Sequence, residues 1–385
     1  MRAFFCWVLL LLLTGCFGGI PGPEPPPRQP VEPLVAVDWS HLPGWQESTP
    51  AAAVETFIYS CQAIGNKPGW EEPCKEVLSV PAGDEQRARQ FFERHFVPHQ
   101  VRNEDGSDQG KITGYYVPEL NGSRTRTEQF RYPLYRQPAD LLTVDLSEVY
   151  PELAHKRLRG RLDGNRVIPY FDRAEIDNGE NPLDGNELFW VEDPVELFFL
   201  HIQGSGRIRL ENGELVMVNY ANQNGHRYRS IGKLLLERNE MTRDQMSMQN
   251  IRSWVRQNPE AGRELLEENP SYVFFRELPA GVESPPGALG VPLTAERSIA
   301  VDRRTIPLGA PVFLSTTWPT SNDPLQRLMV AQDTGGAIKG QVRADFFWGL
   351  GEEAGALAGR MKQPGRMWVL LPKGEATVTR SQGSF

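Results

Sequence analysis

Three aspartates stand out between Ser298 and Gly349. Asp302 lies in Val301-Asp302-Arg303-Arg304, Asp333 opens Asp333-Thr334-Gly335-Gly336, and Asp345 precedes Phe346, Phe347 and Trp348. Each follows or ends an apolar run that reads as a strand, and a strand fixes the backbone of the carboxylate it carries. The aromatic residues beside Asp345 are apolar walls. Such walls disfavour the ionised carboxyl and raise its pKa, as a general acid near neutral pH requires. The same position equally suits an Asp that caps a following helix, and the residues alone leave both roles open. Gly335-Gly336 allows backbone paths that a Cβ forbids, and close approach by a ligand.

Other chemistries find less support. An aspartic-protease site needs two carboxylates sharing a proton, and the Asp-Thr-Gly at 333–335 has no second copy. The six histidines (His41, His95, His99, His155, His201 and His226) show no ligand pairing; His95 and His99 are four apart but flank Pro98. No metal and no cofactor are expected. Gln203-Gly204-Ser205-Gly206 lacks the spacing of a nucleophile elbow. It reads as a turn that offers amides and a hydroxyl to a polar ligand, or as a simple bend between strands. The aromatics Tyr115, Tyr116, Phe189, Trp190 and Tyr220 stand near polar turns. There they either stack on sugar rings or fill a core.

The elements that must hold these residues are mostly strands. Apolar runs predict strands at 111–117, 271–275, 298–301, 312–314, 328–330 and 367–371, with short β runs from about 160 to 220. Asn212-Gly213 between two alternating runs is a strong hairpin signal, and Asp163-Gly164 marks another turn. Helical spacing appears at 51–66, 84–96, 231–238, 243–257 with Thr242 as cap, and 260–268. A further helical pattern lies near Glu352-Glu353-Ala354, and 278–288 reads as a loop.

A chain of 385 residues predicts two domains. Gly 36 and Pro 32 favour a turn-rich β protein, and a net charge of −8 argues against a nucleic-acid partner. Mean hydropathy of −0.44 excludes a polytopic membrane protein. The apolar run Phe4–Leu13 is too short to span a bilayer, which takes about 20 residues, but has the length of a signal-peptide core. Leu13-Thr14-Gly15-Cys16 then resembles a bacterial lipobox, which makes Cys16 the lipidated residue; the other reading is an ordinary secretory signal cleaved nearby. Phe17, in place of an Asp, points to the outer membrane facing the periplasm. Seven prolines between 21 and 33 form a stiff tether. Cys61 and Cys74 either pair across a short loop in an oxidising compartment or remain two buried thiols.

Five segments together resemble the membrane-bound lytic murein transglycosylase A family. They are Gly114-Tyr115-Tyr116-Val117-Pro118, His201-Ile202-Gln203-Gly204-Ser205-Gly206, Asn224-Gly225-His226-Arg227-Tyr228-Arg229-Ser230-Ile231-Gly232-Lys233, Asp244-Gln245-Met246-Ser247-Met248-Gln249 and the three-aspartate region. The resemblance implies a mainly β fold with peripheral helices. A double-psi β-barrel catalytic domain is built from both ends of the chain, with a smaller inserted β-domain and a groove between them. The implied divisions are a signal peptide at 1–15, lipidated Cys and tether at 16–35, and the first catalytic part at 36–134. The inserted domain then spans 135–268, the three-aspartate part 269–372 and a tail 373–385.

The implied activity is that of a peptidoglycan lytic exo-transglycosylase, a carbon–oxygen lyase acting on polysaccharide. It cleaves the β-1,4 bond between N-acetylmuramic acid and N-acetylglucosamine and leaves a 1,6-anhydro ring. The family's catalytic aspartate maps to Asp345, with Asp333 supporting and Asp302 structural. Tyr115, Tyr116, Gln203, Gly204, Ser205, Gly206, Tyr220, Gly335 and Gly336 are the implied substrate-binding residues. Expected partners are glycan strands, the membrane through a lipid anchor, and murein synthases or other hydrolases. Eleven residues separate Asp333 from Asp345, one more than in the family pattern, and Val342-Arg343-Ala344 fills that gap. The alternatives are a glycoside hydrolase on the same barrel and a murein-binding lipoprotein without activity.

Overall fold

The computed structural model describes residues 31–374, apart from 154, 155, 157 and 179–181. The signal segment, Cys16, most of the tether, His155 and the end of the tail lie outside the described residues. The first part of the chain gives β1 (Leu34–Ala36), α1 (Val54–Ile64), α2 (Glu71–Glu76), α3 (Glu85–His95), β2 (Phe96–Val101) and β3 (Gly110–Val117). The middle gives β4 (Glu119–Ser123), β5 (Tyr132–Tyr135), β6 (Leu142–Thr143), β7 (Arg159–Asp163), β8 (Arg166–Ile168) and α4 (Arg173–Asn178). It continues through β9 (Glu187–Val191), α5 (Pro194–Gln203), β10 (Ser205–Leu210), β11 (Leu215–Gln223), α6 (Ile231–Glu237), α7 (Met248–Gln257), α8 (Pro259–Glu267) and β12 (Val273–Glu277). The last part gives β13 (Ser298–Val301), β14 (Pro311–Thr317), β15 (Pro324–Asp333), β16 (Arg343–Leu350), α9 (Gly351–Arg360) and β17 (Lys362–Pro372).

Both ends of the chain share one sheet, in the order β1-β2-β17-β14-β15-β13-β16-β3. Because β3 also pairs with β17, the strands β17, β14, β15, β13, β16 and β3 close into a ring. The core around this sheet uses both of its faces: Phe346 and Met367 lie on one, and Val330, Phe313 and Trp368 on the other, all buried. Helices α1 and α3 pack Phe57, Phe91 and Phe92 together and against Phe96 of β2. A disulfide joins Cys61 of α1 to Cys74 of α2, which decides the question the sequence left open.

The middle of the chain forms a second sheet, β12-β11-β10-β4-β9-β5, and a small third one, β6-β7-β8. The second sheet draws on residues from Glu119 to Glu277, beyond both ends of the 135–268 interval. Asn212-Gly213 makes the β10–β11 hairpin as expected, with Gly213 at φ 84°.

Three expectations need correction. The stretch from 160 to 220 is not all short strands, since it contains α4 and α5. Helix α5 is capped by Asp193, starts on Pro194, and stops at Gly204, whose φ of 78° suits glycine. Gln203-Gly204-Ser205-Gly206 is therefore the end of that helix turning into β10, not a bend between strands. Helix α7 starts at Met248 under a Ser247 cap, not after Thr242. Thr242 does pair with the Gln245 side chain, but as an isolated turn. Finally, Asp345 is the third residue of β16 and caps no helix.

Candidate active site

Strand β13 lies between β15 and β16. Ala300 pairs with Asp333 on one side and with Asp345 on the other. Asp345 pairs in turn with Thr113 of β3, and Thr113 with Lys362 of β17. Paired residues project to the same face, so Asp333, Ala300, Asp345 and Thr113 form one row. At about 4.8 Å per strand, the two aspartate backbones stand about 10 Å apart. A bulge between Ile299 and Ala300 skips Gln332. That residue turns into the core, where its amide donates to Thr56 O and Ser60 Oγ and accepts from Ser298 Oγ. The bulge thus sends neighbouring residues 332 and 333 to separate tasks.

Asp345 keeps a partly exposed edge. The Thr113 hydroxyl donates to its Oδ1 at 2.5 Å, and Arg343 Nη2 donates to Thr113 Oγ1 at 2.8 Å. Burial raises the Asp345 carboxyl above its ordinary value, opposed by Arg343, the Thr113 hydroxyl and Lys111. Asp333 accepts the amides of Ala288 and Thr334 on Oδ1. Burial nevertheless lifts its pKa to about 6, and the charge of Asp345 adds to the rise. The buried Tyr115 hydroxyl faces Asp333 without forming a well-aligned hydrogen bond. Its ring packs on Phe347 at 5.1 Å. Desolvation holds that phenol neutral.

Asp302 sits apart from this pair. Burial pushes its carboxyl up, but Arg304 and the amides of Gly340 and Arg304 outweigh burial and bring the pKa to about 2. Its oxygens accept from Arg304 Nη2 at 2.6 Å and from Gly340 N at 3.0 Å. Tying Gly340 to the end of β13 closes the loop between β15 and β16.

The second sheet meets this face at Met217, which packs with Tyr115, Ala300 and Phe347. Gln203 accepts from the Tyr116 amide at 3.1 Å. Asn219 donates to Ser205 Oγ at 2.8 Å and to Pro286 O at 3.3 Å. Pro286 is two residues from Ala288, so Ser205 is linked through Asn219 to the loop that holds Asp333. Gly204, Ser205 and Tyr220 are half-buried at this junction, Gly206 is buried beside Leu200, and Gly335 and Gly336 form the loop after Asp333. Tyr116 points the other way: it is buried, packs on Gly355 of α9, and its hydroxyl accepts from Arg252. Gly114 beside it has no room for a Cβ, which would stand 2.7 Å from the Trp348 indole nitrogen and 2.9 Å from Ala358 Cα.

Sequence reasoning missed Thr113, Arg343, Ala288 and Asn219. Strand alternation held a signal for two of them. Thr113 lies two before Tyr115, and Arg343 two before Asp345, so each shares its neighbour's face. The Asp333 and Ala288 contact spans 45 residues and left no local trace. A separate hollow of about 200 Å³, lined by Glu119, Asn121, Glu192 and Arg256, includes none of the three aspartates. Among the described residues no three His, Cys, Asp or Glu gather as a metal site.

Two carboxyls of raised pKa share one sheet face, partly open to solvent where a second sheet meets it, an arrangement suited to acid–base chemistry. Residues 111–276 match the model of the MltA specific insert domain, and 297–371 that of the 3D domain. Membrane-bound lytic murein transglycosylase A of Escherichia coli K12 is 38% identical over 318 residues, 81% of this chain and 78% of the relative. A crystal structure of MltA from Neisseria gonorrhoeae is 41% identical with a TM-score of 0.77, covering 89% of this chain and 93% of that one. E. coli MltA with bound chitohexaose is 32% identical with a TM-score of 0.68, covering 88% and 94%. The chain belongs to the membrane-bound lytic murein transglycosylase A family.

Proposed function

We propose that this protein is a lytic transglycosylase that cleaves peptidoglycan between N-acetylmuramic acid and N-acetylglucosamine, with Asp345 as its acid and then its base. Asp345 protonates the glycosidic oxygen as the bond to C1 breaks. The C6 hydroxyl of the same muramic acid attacks C1, and the Asp345 carboxylate takes the hydroxyl proton. The product is a 1,6-anhydro ring, no water is added, and the acid is regenerated. The nucleophile is tethered to its target, so its effective concentration is very high. A single acid therefore suffices.

The observation that carries this reading is the row Asp333–Ala300–Asp345. Inverting and retaining hydrolases place two carboxyls on opposite sides of the scissile bond. Here both come from one face of one sheet. Asp333, lifted to about 6, serves to orient the sugar and to keep Asp345 protonated. Tyr115, Gly204, Ser205, Tyr220, Gly335 and Gly336 line the glycan path. Gln203, Gly206 and Tyr116 support it from behind, and Asp302 is structural.

No helix among the described residues is long and apolar enough to cross a membrane. Membrane association is assigned to a lipid on Cys16, with the body tethered on the periplasmic side of the outer membrane. Purified sacculi and mass spectrometry test the activity. Anhydro-muropeptides are expected from the parent protein, and Asp345→Asn is expected to release them at least ~10³-fold more slowly. Products one water heavier would mean a hydrolase, and binding to sacculi without soluble products would mean a non-catalytic protein.

A further inference from the structure

We propose that Arg343 is a positioning residue for this reaction: acting through Thr113, it fixes the acidic proton of Asp345 on Oδ2. The inference rests on the reading of Asp345 as the acid. Its basis is the directionality of hydrogen bonds. A guanidinium only donates. Arg343 Nη2 donates to Thr113 Oγ1 at 2.8 Å, which leaves the Thr113 hydrogen free to point elsewhere. The acceptor in reach is Asp345 Oδ1. Were Asp345 to carry its proton on Oδ1 and donate to Thr113, that hydroxyl would receive two donors and its own hydrogen would have no acceptor. The favoured arrangement is Arg343 to Thr113 to Oδ1. The proton of the acid then resides on Oδ2, which has no hydrogen-bond partner among the described residues.

Arg343 is itself held for this task. Its Nη1 donates to the backbone oxygens of Lys111 on β3 and Ala344 on β16, so the guanidinium bridges the two strands that carry Thr113 and Asp345. The ionisable groups around Asp345 are Arg343 on its own strand, Lys111 and Tyr115 on β3, Lys362 on β17 beside Lys111, and Asp333 on β15. Of these, Arg343 is the one whose hydrogen bond dictates where a proton lies. A lysine there has no planar fork to meet Thr113 and two carbonyls together.

The experiment measures kcat, KM and the pH profile on soluble, uncrosslinked glycan strands for Arg343→Gln, Arg343→Lys, Thr113→Val, Thr113→Ser, the Thr113→Val/Arg343→Gln double variant and Asp345→Asn. Arg343→Gln and Thr113→Val are each expected to lower kcat about tenfold with KM unchanged, the cost of a misdirected proton. Both remove a group that lowers the Asp345 pKa, so the alkaline limb of the profile moves to higher pH. The double variant is expected to be no slower than Thr113→Val, because Arg343 acts through that hydroxyl. Thr113→Ser is expected to restore the parent rate and limb; Arg343→Lys is not. Additive losses in the double variant, or a folded Arg343→Gln with the parent's kcat and limb, would overturn the proposal. An active Asp345→Asn would instead sink the reading of the acid itself. An inactive Asp345→Asn beside unaffected Arg343 and Thr113 variants would sink this inference alone.

Discussion

The Arg173 centre of the second-sheet region and the Asp345 face of the ring both withdraw ionisable groups from water, yet their hydrogen bonds end differently. Arg173 is buried and donates to Asn269 O at 3.2 Å, Ser271 O at 2.9 Å and His201 Nδ1 at 3.0 Å. Its guanidinium lies 4.8 Å from the ring centres of both Phe198 and Tyr272. Because arginine only donates, His201 Nδ1 must be the acceptor, and the imidazole is neutral with its hydrogen on Nε2. Burial, then the charge of Arg173, push the His201 pKa well below its usual value. Nε2 finds no partner among the described residues, but Tyr272 and Phe275 close over the ring. At Asp345 an arginine again sets the direction of a hydrogen bond, but the carboxyl keeps one oxygen unengaged beside solvent. Burial with its polar groups sealed inside makes structure. Burial with one protonatable atom left at an open edge is what the proposed acid needs.

That contrast can be broken by substitution. Arg173→Met should cost the most stability, about 3–5 kcal/mol, because Asp177 and buried carbonyls lose their partner. Urea unfolding measures it, and Asp345→Asn should lose no stability, because burial already disfavours its charged carboxyl. Replacing Cys61 and Cys74 by Ser should cost about 3 kcal/mol, from a loop closed over a separation of 13 residues. Activity per folded molecule should be unchanged, since the bridge lies on the helices and not on the aspartate face. Gly114→Ala should cost about 1–3 kcal/mol by forcing the Trp348 indole aside. The strand then shifts beneath Thr113, so this variant should lose both stability and rate.

The last effect is a pH-dependent gain. Asp333 titrates at about 6 when folded and at 3.8 ordinarily, so the fold favours its protonated form. That contribution is complete below the lower value and is lost as pH rises through the upper one. Asp333→Asn should therefore melt above the parent at about pH 8 and with it at about pH 4. A gain that did not depend on pH would contradict the assignment.

Much of the architecture was legible because it is local. Asn212-Gly213 set its hairpin, and Asp84 accepts the Arg87 amide at the head of α3 where the pattern placed a helix. Helix α5 was hidden because Val195, Leu197, Phe198, Phe199 and Leu200 are all buried, so no polar face marked a period. Its signals were at the ends, in Asp193, Pro194 and Gly204. The three aspartates could be picked out, but not ranked. Asp302 and Asp345 both follow apolar residues and each has an arginine two positions away, Arg304 and Arg343; the Thr113 hydroxyl on Asp345 comes from 232 residues away and acts through space.

The sequence by itself determined which residue types were available and where most strands and helices run. Adjacency along a chain carries that information. Of the aromatic residues after Asp345 only Phe347 shares its face, with Phe346 and Trp348 on the other. Only the tertiary structure decided that Ala300 would sit between two acids, and that the Thr113 hydroxyl would donate to Asp345, 232 residues away. It also decided which aspartate is held near 2 and which near 6. Desolvation and hydrogen bonding depend on what surrounds an atom in three dimensions, and ring closure brings that surrounding from both ends of the chain.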